Sequence, residues 1–196
     1  MPYYAYITLA GDDKIALYDM DPNSGQLAWR EDFAVAGGPS PLCADPQQRY
    51  LYVGLRATRE MGTLRIDPAT GRLTLLEPRA KAEADTCYIS TDQRGRYLFS
   101  AYYGRGAAAV YPIGADGAVH GPAVEWIYTA MNAHCMQSDR SNRYVFVPHI
   151  AGPNVIYQFL FDENTGHLTP NAMPVFRPQP GEGPRHYVYH PTQDIV

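Results

Sequence analysis

Three copies of one phrase constrain this chain more than any other feature. Asp45-Pro46-Gln47-Gln48-Arg49-Tyr50-Leu51-Tyr52-Val53 recurs as Asp92-Gln93-Arg94-Gly95-Arg96-Tyr97-Leu98-Phe99-Ser100 and as Asp139-Arg140-Ser141-Asn142-Arg143-Tyr144-Val145-Phe146-Val147. The intervals 45→92 and 92→139 are both 47 residues. A degraded fourth copy begins at His190-Pro191. A second series interleaves with the first: Asp21-Pro22-Asn23-Ser24-Gly25, Asp67-Pro68-Ala69-Thr70-Gly71, Gly114-Ala115-Asp116-Gly117 and Asp162-Glu163-Asn164-Thr165-Gly166. Its glycines, at 25, 71, 117 and 166, step by 46, 46 and 49 residues. Two series with one period define a repeated structural unit.

Each unit reads as four short strands. In the second unit they fall near 41–44, 50–54, 62–67 and 72–76. Runs such as Tyr50-Leu51-Tyr52-Val53 are β-branched and aromatic, and too short for helices. Asp-x-x-Thr/Ser-Gly is turn chemistry, in which Asp caps and Gly supplies the positive φ that returns the chain. Sixteen tyrosines against six phenylalanines fit half-buried strand positions. No segment reads as a helix.

Four antiparallel strands every ~45 residues are the mark of a β-propeller blade. The chain is therefore expected to be all-β, with blades over 3–32 (partial), 38–79, 84–127, 132–177 and 183–196 (partial). The first unit opens on a second strand at 3–9, and the last stops within its second strand. Three full and two partial blades make about half of a seven-bladed ring. The chain is expected to be a piece of a longer one, or to be completed by a second chain or copy.

In a propeller the first strand of each blade lines the central channel. The residue five before each repeat start is Ser40, Cys87, His134 or Arg185. A structural lining would repeat, whereas these carry a hydroxyl, a thiol, an imidazole and a guanidinium. Such groups bind or transform polar ligands. His134 can act as a base near neutral pH. Arg185 offers a fork for a carboxylate, a phosphate or an oxyanion. Asn132 and Glu182 lie on rim loops, and His149 ends a second strand near the same rim. Strand alternation from Gly183-Pro184 puts Arg185, Tyr187 and Tyr189 on one face and His186, Val188 and His190 on the other.

Other classes find little support. Net charge is −4 and the basic residues are scattered, which argues against a nucleic-acid partner. No apolar run approaches the ~18 residues of a membrane span. There is no Ser-His-Asp order, phosphate loop, zinc motif or calcium loop, so neither a metal nor another cofactor is expected. Three widely spaced cysteines, Cys43, Cys87 and Cys135, and an N-terminus without a signal-like stretch read as a cytoplasmic protein with reduced thiols.

Gly183-Pro184-Arg185-His186 followed by His190-Pro191, in register with the repeat, resembles the signature of the lactonase-type seven-bladed propellers. That family includes bacterial 6-phosphogluconolactonases of the propeller type and fungal carboxy-muconate lactonising enzymes. His134 with Asp139 and Asn142-Arg143 is similar to the family's histidine-bearing inner strand. Residues 15–19 with Asp21-Pro22 and Gly25-Gln26-Leu27 are also similar. The resemblance implies a lactone site at one mouth of the channel, with His134 and Arg185 as catalytic residues. It also implies a glutamate and a further arginine that lie outside residues 1–196. Ser40, Cys87, Asn132, His149, Glu182 and His186 are the candidate substrate-binding residues. Hydrolysis of a sugar-acid lactone such as 6-phosphogluconolactone is the expected reaction. Lactonisation of an unsaturated dicarboxylic acid and a non-catalytic interaction platform are the alternatives.

Overall fold

The computed structural model describes residues 3–193 and 195–196. Its strands form four antiparallel sheets, each laid down in chain order. The first holds β1 (Tyr3–Leu9), β2 (Lys14–Met20) and β3 (Leu27–Ala34). The second holds β4 (Pro39–Ala44), β5 (Tyr50–Leu55), β6 (Glu60–Ile66) and β7 (Leu73–Lys81). The third holds β8 (Tyr88–Thr91), β9 (Tyr97–Tyr102), β10 (Ala107–Pro112) and β11 (Glu125–Tyr128). The fourth holds β12 (Gln137–Ser138), β13 (Tyr144–His149), β14 (Val155–Phe161) and β15 (Leu168–Phe176). A 3-10 turn spans Ala10–Asp12. This is the all-β architecture of a partial propeller, four blades not closed into a ring. The first strands of adjacent full blades, β4 with β8 and β8 with β12, touch one another. They are therefore the inner strands, and β1 takes a second-strand role beside β4.

The repeated aspartates explain the shared period. Asp45, Asp92 and Asp139 each accept backbone N–H bonds from the residues four and five ahead, at 49 and 50, 96 and 97, and 143 and 144. One carboxylate thus closes the turn between the first and second strands of each blade. In the second series, Gly25, Gly71 and Gly166 donate to the carbonyls of Asp21, Asp67 and Asp162 at 2.7, 2.7 and 2.8 Å.

The blades are joined by a contact that also repeats. Tyr4 covers Gly71 of the next blade, Tyr50 covers Gly117, and Tyr97 covers Gly166. A Cβ at Gly71 would lie 2.8 Å from the Tyr4 ring. Glycine is thus required twice, for the positive φ and for the close approach. Hydroxyls tie the same seams, from Tyr6 to the Gly71 carbonyl at 2.7 Å and from Tyr52 to the Gly117 carbonyl at 3.0 Å. Three apolar clusters fill the seams. The largest side chains buried there, including Tyr52, Phe99, Tyr102 and Tyr111, are almost wholly removed from water. Each such burial contributes roughly 1.5–3 kcal/mol.

The segment after Gly183 departs from the sequence expectation. Residues 183–190 form no strand, so no ladder imposes a pleat. Tyr187 instead docks on the fourth blade. Its hydroxyl accepts from Gln137 N at 2.8 Å and lies 2.7 Å from the Phe146 carbonyl. Its carbonyl accepts from Gln137 Nε2 at 3.0 Å. Tyr189 packs beside it, the two rings meeting edge to face at 5.5 Å.

Candidate functional site

The mouth of the blade array is set by strand direction. In the second blade Pro39 pairs with Leu55, so the entry to the first strand and the exit from the second lie at one end. The same holds in the third blade, where Tyr88 pairs with Ala101. Segments leading into inner strands and turns leaving second strands therefore gather at one rim. Ser40, Cys87, His134, Arg56 and Tyr103 belong to these segments.

His134 is the hub. It is half-buried, and its backbone N–H donates to the Pro148 carbonyl at 3.0 Å. Arg185 Nε donates to His134 Nε2 at 3.1 Å. His134 Nδ1 lies 3.0 Å from His186 Nε2. The Tyr103 ring stands edge-on at 5.8 Å from the His134 ring, and Tyr88 lies 5.7 Å from His186. Burial, the Arg185 charge and His186 together hold the His134 pKa below its ordinary value. Burial and then Arg185 do the same for His186. Both rings are thus held toward their neutral forms at neutral pH.

His186 does not follow the strand alternation read from the sequence. It and Arg185, though consecutive, reach the same imidazole. The physical reason is the missing ladder, because only a paired strand forces neighbours to opposite faces.

Cys87 sits beside the hub. Its thiol donates to the Ala133 carbonyl at 3.3 Å and lies 4.0 Å from that of His134. Burial pushes its pKa up to about 11. Through the Ala133 carbonyl the thiol braces the segment that carries His134. Ser40 stands apart, and its carbonyl accepts from the Thr8 hydroxyl at 2.8 Å. No hydrogen bond among the described residues links Ser40 to His134.

Three other candidates have local duties. Asn132 adopts positive φ, at 66°, and its side-chain amide donates to the Ile150 carbonyl at 3.2 Å. Glu182 accepts from Gln179 N at 2.8 Å, closing its own turn. His149 is fully buried rather than on the rim. Its Nδ1 lies 3.1 Å from the Met131 carbonyl and its ring packs at 5.1 Å from Tyr157. Burial lowers its pKa. Strand alternation near a blade end does not reveal depth, which the turn at 150–154 and Tyr157 decide.

Tyr88, Tyr103 and Arg56 were not singled out from the sequence. Tyr88 follows Cys87 directly, and Arg56 and Tyr103 are 47 residues apart just past second strands. Extending the repeat alignment from one position to the whole rim finds all three. Arg56 is held by Asp85 at 2.8 Å. Among the described residues, no group of three or more His, Cys, Asp or Glu is placed to hold a metal ion, and no helix is long and apolar enough to cross a membrane.

The family model described as "Lactonase, 7-bladed beta-propeller" matches residues 3–196. A 6-phosphogluconolactonase of Yersinia pestis (strain Pestoides F) is 29% identical over 197 aligned residues, covering 100% of this chain and 57% of that protein. The 6-phosphogluconolactonase of Pectobacterium carotovorum is 31% identical over 194 residues, covering 98% and 56%. Among solved structures, the periplasmic gluconolactonase of Pseudomonas aeruginosa matches with a TM-score of 0.80 and 25% identity, over 96% of this chain and 59% of that one. A Bacteroides fragilis protein matches with a TM-score of 0.80 at 24% identity, over 95% of this chain and 56% of that one, and shows the fold alone. The chain thus spans a little over half the length of the curated relatives it matches. The periplasmic relative overturns the cytoplasmic expectation. Free thiols, partly buried at Cys43 and Cys87 and fully buried at Cys135, require no particular compartment. The chain belongs to the lactonase family of seven-bladed β-propellers.

Proposed function

We propose that this protein hydrolyses a sugar-acid lactone, with 6-phosphogluconolactone as the leading substrate. The observation that carries the reading is the 3.1 Å contact between Arg185 and His134, a fixed cation and a neutral base side by side at the rim. In the reaction His134 takes a proton from water as the oxygen attacks the lactone carbonyl carbon. Arg185 steadies the anionic group of the substrate or the oxyanion that forms on that carbonyl. The ring C–O bond then breaks, and the departing alkoxide takes the proton back from His134. The product is the open-chain acid. The activities named for the relatives from Yersinia, Pectobacterium and Pseudomonas support a lactone as the substrate.

The test is lactone opening by wild type, His134→Ala and Arg185→Ala, each corrected for spontaneous hydrolysis. His134→Ala is expected to lose ~10²–10⁴-fold in kcat/KM, and Arg185→Ala ~10²–10³-fold. Wild-type rates in both variants would refute the assignment. Turnover of unsaturated dicarboxylic acids with none of sugar lactones would move the function to lactonisation.

A further inference from the structure

The side chains at the rim define one another's protons. A guanidinium only donates and is not deprotonated in proteins. Because Arg185 Nε points at His134 Nε2 from 3.1 Å, that ring nitrogen must present its lone pair. The proton of the neutral ring therefore sits on Nδ1, which faces His186 Nε2 at 3.0 Å. His186 must accept there, which places its own proton on Nδ1. One permanent donor thus orders two imidazoles in sequence.

The arrangement has a consequence for catalysis. The lone pair that would accept a proton from water is already occupied by Arg185. Arg185 is exposed, and His134 is its hydrogen-bond acceptor among the described residues. A neutral imidazole nitrogen is a weaker partner for a guanidinium than an anionic oxygen. An anionic oxygen adds ion-pair attraction to the hydrogen bond, and a carboxylate or phosphate can use both arms of the fork. An arriving anion therefore competes for Arg185 and frees Nε2.

We infer that Arg185 covers the basic nitrogen of His134 until an anionic group draws it away, and that His186 is a positioning residue that keeps His134 in its Nδ1–H tautomer once Arg185 has left. This rests on the lactone reading only for the identity of the substrate, since the proton order follows from the contacts themselves. It makes the anionic group a switch as well as a handle. A neutral lactone would bind beside a covered base, so the loss would fall on kcat and not only on KM.

Side-chain ¹⁵N–¹H correlation spectra of the histidines test both halves without turnover. Wild-type His134 should show the Nδ1–H tautomer. Inorganic phosphate should shift the His134 Nε2 resonance while the tautomer is kept. With phosphate present to draw Arg185 away, His186→Phe should give mixed tautomers at His134, and His186→Gln, whose amide oxygen can replace the accepting nitrogen, should restore the single form. In rate measurements His186→Phe should lower kcat ~10-fold or more with KM little changed, and His186→Gln should recover part of it. An Nε2–H tautomer in the wild type, or a single Nδ1–H tautomer in phosphate-bound His186→Phe, overturns the positioning role. A His134 Nε2 resonance indifferent to phosphate overturns the covering role. The expected spectra without lactone turnover would reject the proposed function alone.

Discussion

The seams between blades and the rim where their inner strands converge are cut from the same repeat and treat it in opposite ways. At the seams the repeat is kept. Tyr4, Tyr50 and Tyr97 each cover the turn glycine of the following blade, and Asp45, Asp92 and Asp139 each close the same turn. At the rim the repeat is broken. The equivalent positions hold Ser40, Cys87, His134 and Arg185, and the last two touch. Packing against a neighbouring copy has one good solution, so it recurs. The proposed ligand chemistry needs different groups around one point, and there the copies differ.

Substitutions can break or sharpen this contrast. The largest effect is expected at Asp92, which is fully buried and accepts from Arg94 N, Arg96 N, Tyr97 N and Asn142 Nδ2. Asp92→Ala strands these donors and should lower unfolding free energy by roughly 3–5 kcal/mol in denaturant titrations. The half-buried Asp139 serves the same turn, and Asp139→Ala should cost only about 1–2 kcal/mol. Equal losses would mean that the turn alone, and not the seam, sets the cost.

The glycines give the next contrast. Gly117, at φ +80°, has the Tyr50 ring against it, whereas Gly25, at φ +71°, has nothing within 4 Å. Gly117→Ala adds overpacking to backbone strain and should cost roughly 2–4 kcal/mol. Gly25→Ala carries the strain alone, about 1 kcal/mol. A loss at Gly117 no larger than at Gly25 would show that the seam yields to a methyl group.

A smaller effect is set by pH. His134, His149 and His186 all have pKa values below the ordinary 6.5, in each case first through burial. The unfolded chain then binds protons more readily than the folded one in the window below 6.5. Stability should be fully present above that value and decline as pH falls toward the folded pKa values. His149 is the most deeply buried of the three, so His149→Phe should flatten the decline most. An unchanged slope in thermal melts between pH 7 and pH 5 would remove His149 as its source.

The least effect is expected at Cys87. Its thiol is held in the protonated form and serves backbone carbonyls. Cys87→Ala should cost about 1 kcal/mol or less and leave lactone opening within about threefold of wild type, below 1 kcal/mol in activation free energy. A hundredfold loss would return Cys87 to the chemistry.

The blade plan was legible because its signals are local. An Asp-capped turn, a positive-φ glycine and a short β-branched run each act within a few residues, and a fixed period repeats them. The same period located His134 and Arg185 at equivalent positions before any contact was known. His149 was misplaced for a reason that periodicity does not carry. His149 looked like a rim residue because it ends β13, yet the following turn and Tyr157 bury it. Glu182 stands beside that motif on an exposed loop, where its carboxylate accepts from Gln179 N.

What the sequence by itself determined is the unit, its number of strands and the rim positions at which identity changes from copy to copy. These follow from short-range propensity multiplied by repetition. What only the tertiary structure decided is which of those positions meet. His186 joins Arg185 on His134 because Tyr187 pins the segment to the fourth blade without a β ladder. Without that ladder no pleat rule applies, and the direction of each side chain is set by contacts some 50 residues away in the chain.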